Sequence, residues 1–156
     1  MQISSRARKI EPFYVMEVAK AASSLAREVA HTDAPMIFLN IGEPDFTAPP
    51  LVQQAAEQAI RDGRSQYTQA TGLQSLRERI SQWYADRFQT QVSPERIVVT
   101  AGASAALHLA CLALIESGDE ILMPDPSYPC NRHFVSAAEG KAVLIPTTAA
   151  ARFQPS

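Results

Sequence analysis

Apolar and polar positions follow two rhythms along this chain, one of about 3.6 residues and one of short unbroken apolar runs, and the switches between them mark its elements. Over residues 13–30, Val15, Val18, Ala19, Ala22, Leu25, Ala26 and Val29 share one face, while Glu17, Lys20, Ser24, Arg27 and Glu28 lie mostly off it. That predicts an amphipathic helix introduced by Pro12. His31–Pro35 breaks the pattern, and Met36–Ile41 reads as a short apolar strand. Pro49 and Pro50 suit a helix start, Leu51, Val52, Ala55, Ala56, Ala59 and Ile60 supply its stripe, and Gly63 ends it. Thr71-Gly72-Leu73-Gln74 has the form of a capping box. The long helix after it carries Leu73, Leu76, Ile80, Trp83, Tyr84 and Phe88 inward, with Arg77, Glu78, Arg79 and Asp86 on its wet side. Beyond a turn at Ser93-Pro94-Glu95, Ile97–Val99 reads as a buried strand. From Ala103 a helix of about four turns runs to near Gly118. Glu120–Met123 and Ala142–Ile145 are two further strands, joined by the rigid Pro124–Pro129 connection and a helix ending near Gly140.

Strand and helix alternate, so the expected class is α/β, with parallel pairing, right-handed crossovers and helices covering the sheet. In such sheets ligands gather at the carboxyl ends of the strands. Two segments fall there: Thr100-Ala101-Gly102-Ala103-Ser104 and Tyr128. In the first, Gly102 permits a tight reversal, and the first N–H groups of the following helix have no partner within it. Their positive dipole end suits a phosphate. The glycine pattern is neither G-x-G-x-x-G nor a P-loop, which removes ordinary dinucleotide and nucleotide readings. A phosphate cup with an aromatic ring nearby suits a flat phosphorylated ligand.

Composition narrows the partners. Fourteen basic residues against sixteen acidic, in no long runs, give no electrostatic case for nucleic acid or an anionic membrane. No signal-peptide core follows Arg6, Arg8 and Lys9, and the apolar run Ala105–Ile115 contains His108 and is too short to span a bilayer, so a cytoplasmic location is the default expectation. The two cysteines, Cys111 and Cys130, make no disulfide framework. His108-x-x-Cys111 and Cys130-x-x-His133 contain a zinc-like ligand set, but the first pair sits within an apolar helix and reads as packing, so no metal site is expected.

Four motifs together resemble the N-terminal part of the class I/II, fold-type I, pyridoxal-phosphate-dependent aminotransferases. Asn40-Ile41-Gly42-Glu43-Pro44-Asp45-Phe46 resembles the loop whose glycine lies against the substrate carboxylate, and Tyr67-Thr-Gln-Ala-Thr-Gly72 the segment whose tyrosine reaches a neighbouring subunit's cofactor phosphate. Thr100–Ser104 is similar to the phosphate-binding turn, and Pro126-Ser127-Tyr128-Pro129 to the segment whose aromatic stacks on the pyridine ring. The resemblance implies pyridoxal 5'-phosphate bound by Gly102, Ala103, Ser104, Tyr128 and, in trans, Tyr67, with Gly42 at the substrate carboxylate. It implies the first part of a three-layer, mostly parallel large domain, truncated, with residues 1–45 as N-terminal arm and small-domain segment and 46–156 as large domain. It also implies a homodimer acting on an amino acid and a 2-oxo acid. Lys9, Lys20 and Lys141 read as solvated, so the Schiff-base lysine is expected further along and the 156-residue chain alone is expected to be inactive. A β-lyase of the same fold, or a non-catalytic cofactor-binding or dimerisation module, fits the same motifs.

Overall fold

In the computed structural model, which describes residues 2–155, the chain forms two compact units. One joins the segment ending at Gly42 to the segment beginning at Leu107, and the other is Glu43–Ala106.

The first unit opens with a short helix α1 (Ser5–Arg8), capped by the Ser4 hydroxyl, and the amphipathic helix α2 (Tyr14–Glu28). After Leu107 its centre is a parallel pair of strands, β1 (Glu120–Asp125) and β2 (Lys141–Pro146), in the register Glu120↔Lys141 to Asp125↔Pro146. Helix α6 (Asn131–Ala137) makes the crossover and packs on β2, and α1 touches α6. Val135, on α6, is 3% exposed and is the deepest apolar side chain among the described residues. Gly140 enters β2 so close to this core that a Cβ there would meet Ile115 Cγ2 at 2.7 Å and Val135 Cγ1 at 3.0 Å.

The second unit holds helix α3 (Pro50–Arg61), whose first residue is a proline because the first helical N–H needs no partner. Gly63, at φ +70°, ends it, and the Arg64 N–H returns to the Ala59 carbonyl at 2.9 Å. Helix α4 (Gln74–Phe88) carries Trp83, Tyr84 and Phe88 as a mutually tilted aromatic cluster with centroids 5.0–5.7 Å apart. A single 3₁₀ turn, Pro94–Arg96, packs on α4. Helix α5 (Ala103–Leu114) carries the chain from this unit into the other.

Several expectations are overturned. Met36–Ile41 and Ile97–Val99 are not strands. A strand exists through its ladder: Val99 donates to Thr71 O at 3.0 Å, but no adjacent strand is paired along either run among the described residues. The capping box does not form. Leu73 is the N-cap without a side-chain bond, and the Gln74 side chain turns to Glu78 and Arg77 instead. Arg77 is not on a wet face but 5% exposed. Helix α5 stops at Leu114, short of Gly118, where Asp119 Oδ2 takes the Glu116 N–H at 2.9 Å and Gly118 turns at φ +92°. No helix among the described residues is long and apolar enough to cross a membrane.

Candidate functional site

The turn Thr100–Ser104 is built by one conformational demand. Gly102 takes φ +85°, a region that side chains resist, and a Cβ there would meet nothing within 4 Å, so the demand is on the backbone alone. Its N–H turns back to Thr100 O at 2.8 Å, and the Thr100 hydroxyl donates to Gly102 O at 2.9 Å, so the reversal is closed on itself. Helix α5 begins on the next residue. The N–H of Ala106 is received by Gly102 O at 3.3 Å, whereas those of Ala103, Ser104 and Ala105 fall in the turn where a helix lacks internal acceptors. No acidic side chain stands in that first turn, and Ala103 and Ser104 are exposed. Three N–H groups without helical acceptors, a hydroxyl and a positive dipole end at an exposed turn make an arrangement able to receive a phosphate dianion.

The segment before α4 is packed against the approach to this turn. Gly72, at φ +97°, lies so near Val99 that a Cβ would come within 2.7 Å of Val99 Cβ and Cγ2, and the neighbouring Thr71 carbonyl accepts the Val99 N–H. Tyr67, five residues earlier, projects with its side chain fully exposed, at 108% of the reference area. Tyr67 and the turn thus belong to the same unit, Gly42 and Tyr128 to the other.

In the first unit, Tyr128 stands three residues beyond the carboxyl end of β1, after the cis Asp125–Pro126 peptide. Its ring packs edge-on to Phe13, with centroids 6.3 Å apart at 69°, and remains 53% exposed. The Cys130 side chain, first by hydrogen bonding and then by charge, and after it burial raise the phenol above its ordinary value. The hydroxyl is therefore protonated at neutral pH and the ring uncharged. Gly42 lies in an exposed loop where a Cβ would meet nothing within 4 Å, so the chain itself does not require glycine there.

Two groups escaped the sequence reading. Asn131 Oδ1, at the start of α6, is buried without a hydrogen-bond partner among the described residues. Its signal was a polar residue opening a short helix just after Tyr128, which composition alone does not distinguish from a cap. Cys130, a metal-ligand candidate by its spacing, is instead the neighbour of a phenol. The His108 ring lies along Phe134, 6.0 Å between centroids at 21°, and no group of three His, Cys, Asp or Glu side chains able to hold a metal occurs among the described residues.

None of the lysines has the setting of a reactive amine. Lys9 and Lys20 are exposed, and Lys141 pairs with Glu120 at 2.6 Å, whose hydrogen bond and charge raise its pKa. A raised value keeps the amine protonated, the reverse of what a nucleophile needs.

The sequence profile of the family described as aminotransferase class I and II matches residues 34–155. Among curated relatives, the (5-formylfuran-3-yl)methyl phosphate transaminase of Methanocaldococcus jannaschii is 34% identical over 94% of this chain and 38% of its own length. The valine–pyruvate aminotransferase of Mycobacterium tuberculosis is 37% identical, over 94% of this chain and 37% of that one. A crystal structure of an aminotransferase from Mycobacterium tuberculosis superposes with a TM-score of 0.89 at 36% identity, covering 100% of this chain and 39% of the other. The chain thus spans less than half the length of the relatives it matches. Its fold is the N-terminal part of the fold-type I transferase large domain, and pyridoxal 5'-phosphate is the cofactor of that family.

Proposed function

The chain belongs to the aminotransferase class I and II family, and on that premise we propose that the protein of which it forms part moves an amino group between an amino acid and a 2-oxo acid, with pyridoxal 5'-phosphate as cofactor. The observation that carries this reading is the start of α5: a glycine at φ +85°, then N–H groups without helical acceptors and a serine hydroxyl, with no acidic side chain in the first turn. When bound, the cofactor supplies an electron sink that lets the amino group leave one carbon skeleton and join another.

The residues divide the work of holding it. The N–H groups of Ala103 and Ser104 and the Ser104 hydroxyl take the phosphate, and Ala103 contributes only its backbone. Tyr128, neutral and half exposed, offers a ring face to the pyridine. Gly42, in a loop where this chain leaves space for a side chain, keeps that space for the substrate carboxylate. Tyr67, with no cover of its own, is suited to reach the phosphate of a second subunit in a homodimer. Residues 1–45 would serve as the N-terminal arm and small-domain segment, and 46–156 as the first part of the large domain. The reactive amine comes from outside residues 1–156, because Lys9, Lys20 and Lys141 are solvated or ion-paired, and residues 1–156 alone are therefore inactive. The two curated relatives act on different substrates by name, so the amino acid is left open.

Ser104→Asp tests the cup. A carboxylate in the first turn favours the helix but repels a phosphate, which separates folding from binding. Pyridoxal 5'-phosphate titrated against intrinsic fluorescence should bind at least tenfold more weakly to the variant, with helicity unchanged. Equal affinities would reject the assignment.

A further inference from the structure

Arg77 is the one charged side chain buried among the described residues, at 5% exposure, and the phosphate cup as described does not use it. It projects from the first turn of α4, and its guanidinium spends its donors on two separate stretches, residues 69–74 and the turn at Pro94. Nε donates to Gly72 O at 3.3 Å, Nη2 to Gln69 Oε1 at 3.2 Å and to Gln74 Oε1, and Nη1 to Pro94 O at 3.0 Å. The nearest carboxylate, Glu95, is 3.8 Å from Nη1 and 77% exposed, so the charge is held by carbonyl and amide dipoles more than by an ion pair. A guanidinium can do this because its planar fork reaches several acceptors at once, which an ammonium on a flexible stem cannot.

The bonds have a direction. They fix residues 69–74 onto the 94–95 turn, and the same segment meets the chain again four residues on, where Thr71 O takes the Val99 N–H at 3.0 Å and Gly72 packs on Val99. Val99 leads without a break into Thr100–Ser104. Tyr67 lies two residues before Gln69. We propose that Arg77 is a positioning residue: it locks the 69–74 segment to the 94–99 segment, so that the phosphate turn and the base of the Tyr67 loop form one rigid frame. This rests on the phosphate-cup reading. In a homodimer, one guanidinium would then set the cup of its own subunit and the tyrosine lent to the other.

The test uses pyridoxine 5'-phosphate and pyridoxine, which share a ring but lack the aldehyde that labels lysines. Each is titrated by calorimetry against the protein and its Arg77→Ala, Arg77→Lys and Ser81→Ala variants. Ser81 lies one turn along α4 and holds Val92 O at 2.6 Å, so its variant weakens the helix packing without touching the frame. Arg77→Ala should lower affinity for pyridoxine 5'-phosphate at least tenfold and leave pyridoxine unchanged, Arg77→Lys should fall between, and Ser81→Ala should keep the wild-type ratio. Amide exchange at Val99 should quicken in both Arg77 variants and not in Ser81→Ala. An unchanged phosphate preference in a folded Arg77 variant, or an equal loss in Ser81→Ala, overturns the proposal, and if Arg77→Ala does not fold, Arg77→Lys decides. If the wild type itself shows no preference for the phosphorylated ligand, the cup reading falls, and the Val99 exchange rate in Arg77→Lys still judges the frame: unchanged protection overturns it.

Discussion

Replacing Gly72 by alanine should be among the more damaging single-methyl changes this chain can suffer. Two costs combine at that position. An L side chain at φ +97° is strained, at about 1–2 kcal/mol, the cost of left-handed backbone for residues with a Cβ. The new Cβ would also sit 2.7 Å from Val99 Cβ and Cγ2, closer than carbon atoms approach, and one of those atoms is fixed to the backbone, so side-chain rotation does not relieve it. Overpacking of this kind costs about 1–3 kcal/mol. The entropic gain of removing a glycine from the unfolded chain returns roughly 0.4–1 kcal/mol only where the native backbone suits alanine, which it does not here. The expected loss is therefore about 2–5 kcal/mol. Gly63→Ala isolates the backbone part, since Gly63 has φ +70° and nothing within 4 Å of its Cβ. Trp83 is the only tryptophan and lies on α4 in the same unit as both glycines, so urea unfolding followed by its fluorescence reads the right part of the molecule. With equal slopes, the midpoints give the difference directly. If Gly72→Ala loses no more than Gly63→Ala, within about 0.5 kcal/mol, the contact with Val99 is not what requires glycine at this position.

Two further outcomes follow from the first unit. Val135→Ala removes two methyl groups from its deepest apolar side chain, 3% exposed, and should cost about 2 kcal/mol in circular-dichroism melts, whereas a loss under about 0.5 kcal/mol would mean that α6 and β2 are not held by that contact. Glu120 raises the Lys141 pKa, so the pair's contribution is complete below the unfolded lysine value and is lost as pH rises through the folded one; Glu120→Gln should lower the Lys141 titration midpoint seen by NMR and remove that alkaline fall, and an unmoved midpoint would contradict the pairing.

The elements that periodicity and punctuation predict are those whose causes are local. Helices α2 and α3 have a prolonged apolar face and proline or glycine at their ends, and β1 and β2 are apolar runs that find each other across one short crossover. Met36–Ile41 has the same apolar character and forms no strand. Its side chains are largely exposed, Leu39 at 90% and Ile37 at 75%. The difference lies outside the run, since a strand requires a second strand to complete its hydrogen bonds, and nothing in six residues states whether one is adjacent. Ile97–Val99 is an intermediate case: extended at Ile97, bonded once at Val99, and stopped there because Thr71 belongs to a turn and not to a ladder.

The same division runs through the candidate site. Gly102 was legible because the turn needs a positive φ and only the local chain supplies it. Arg77 was not, because a helical wheel assigns arginine to water by its charge, and the charge is the wrong quantity to follow. What matters is that the guanidinium makes four hydrogen bonds to acceptors on two stretches, one of them 17 residues along the chain, so burial leaves few polar groups unpaired. The failed capping box belongs to the same event. Gln74 was expected to reach back to Thr71, but its amide oxygen receives the Arg77 guanidinium and its nitrogen donates to Glu78 at 2.8 Å, while the Thr71 carbonyl receives Val99. A local cap was displaced by a non-local network that satisfies more groups. The glutamine, the threonine and the arginine that a linear reading assigns separately are parts of one joint, and that joint stands at the root of the Thr100–Ser104 turn.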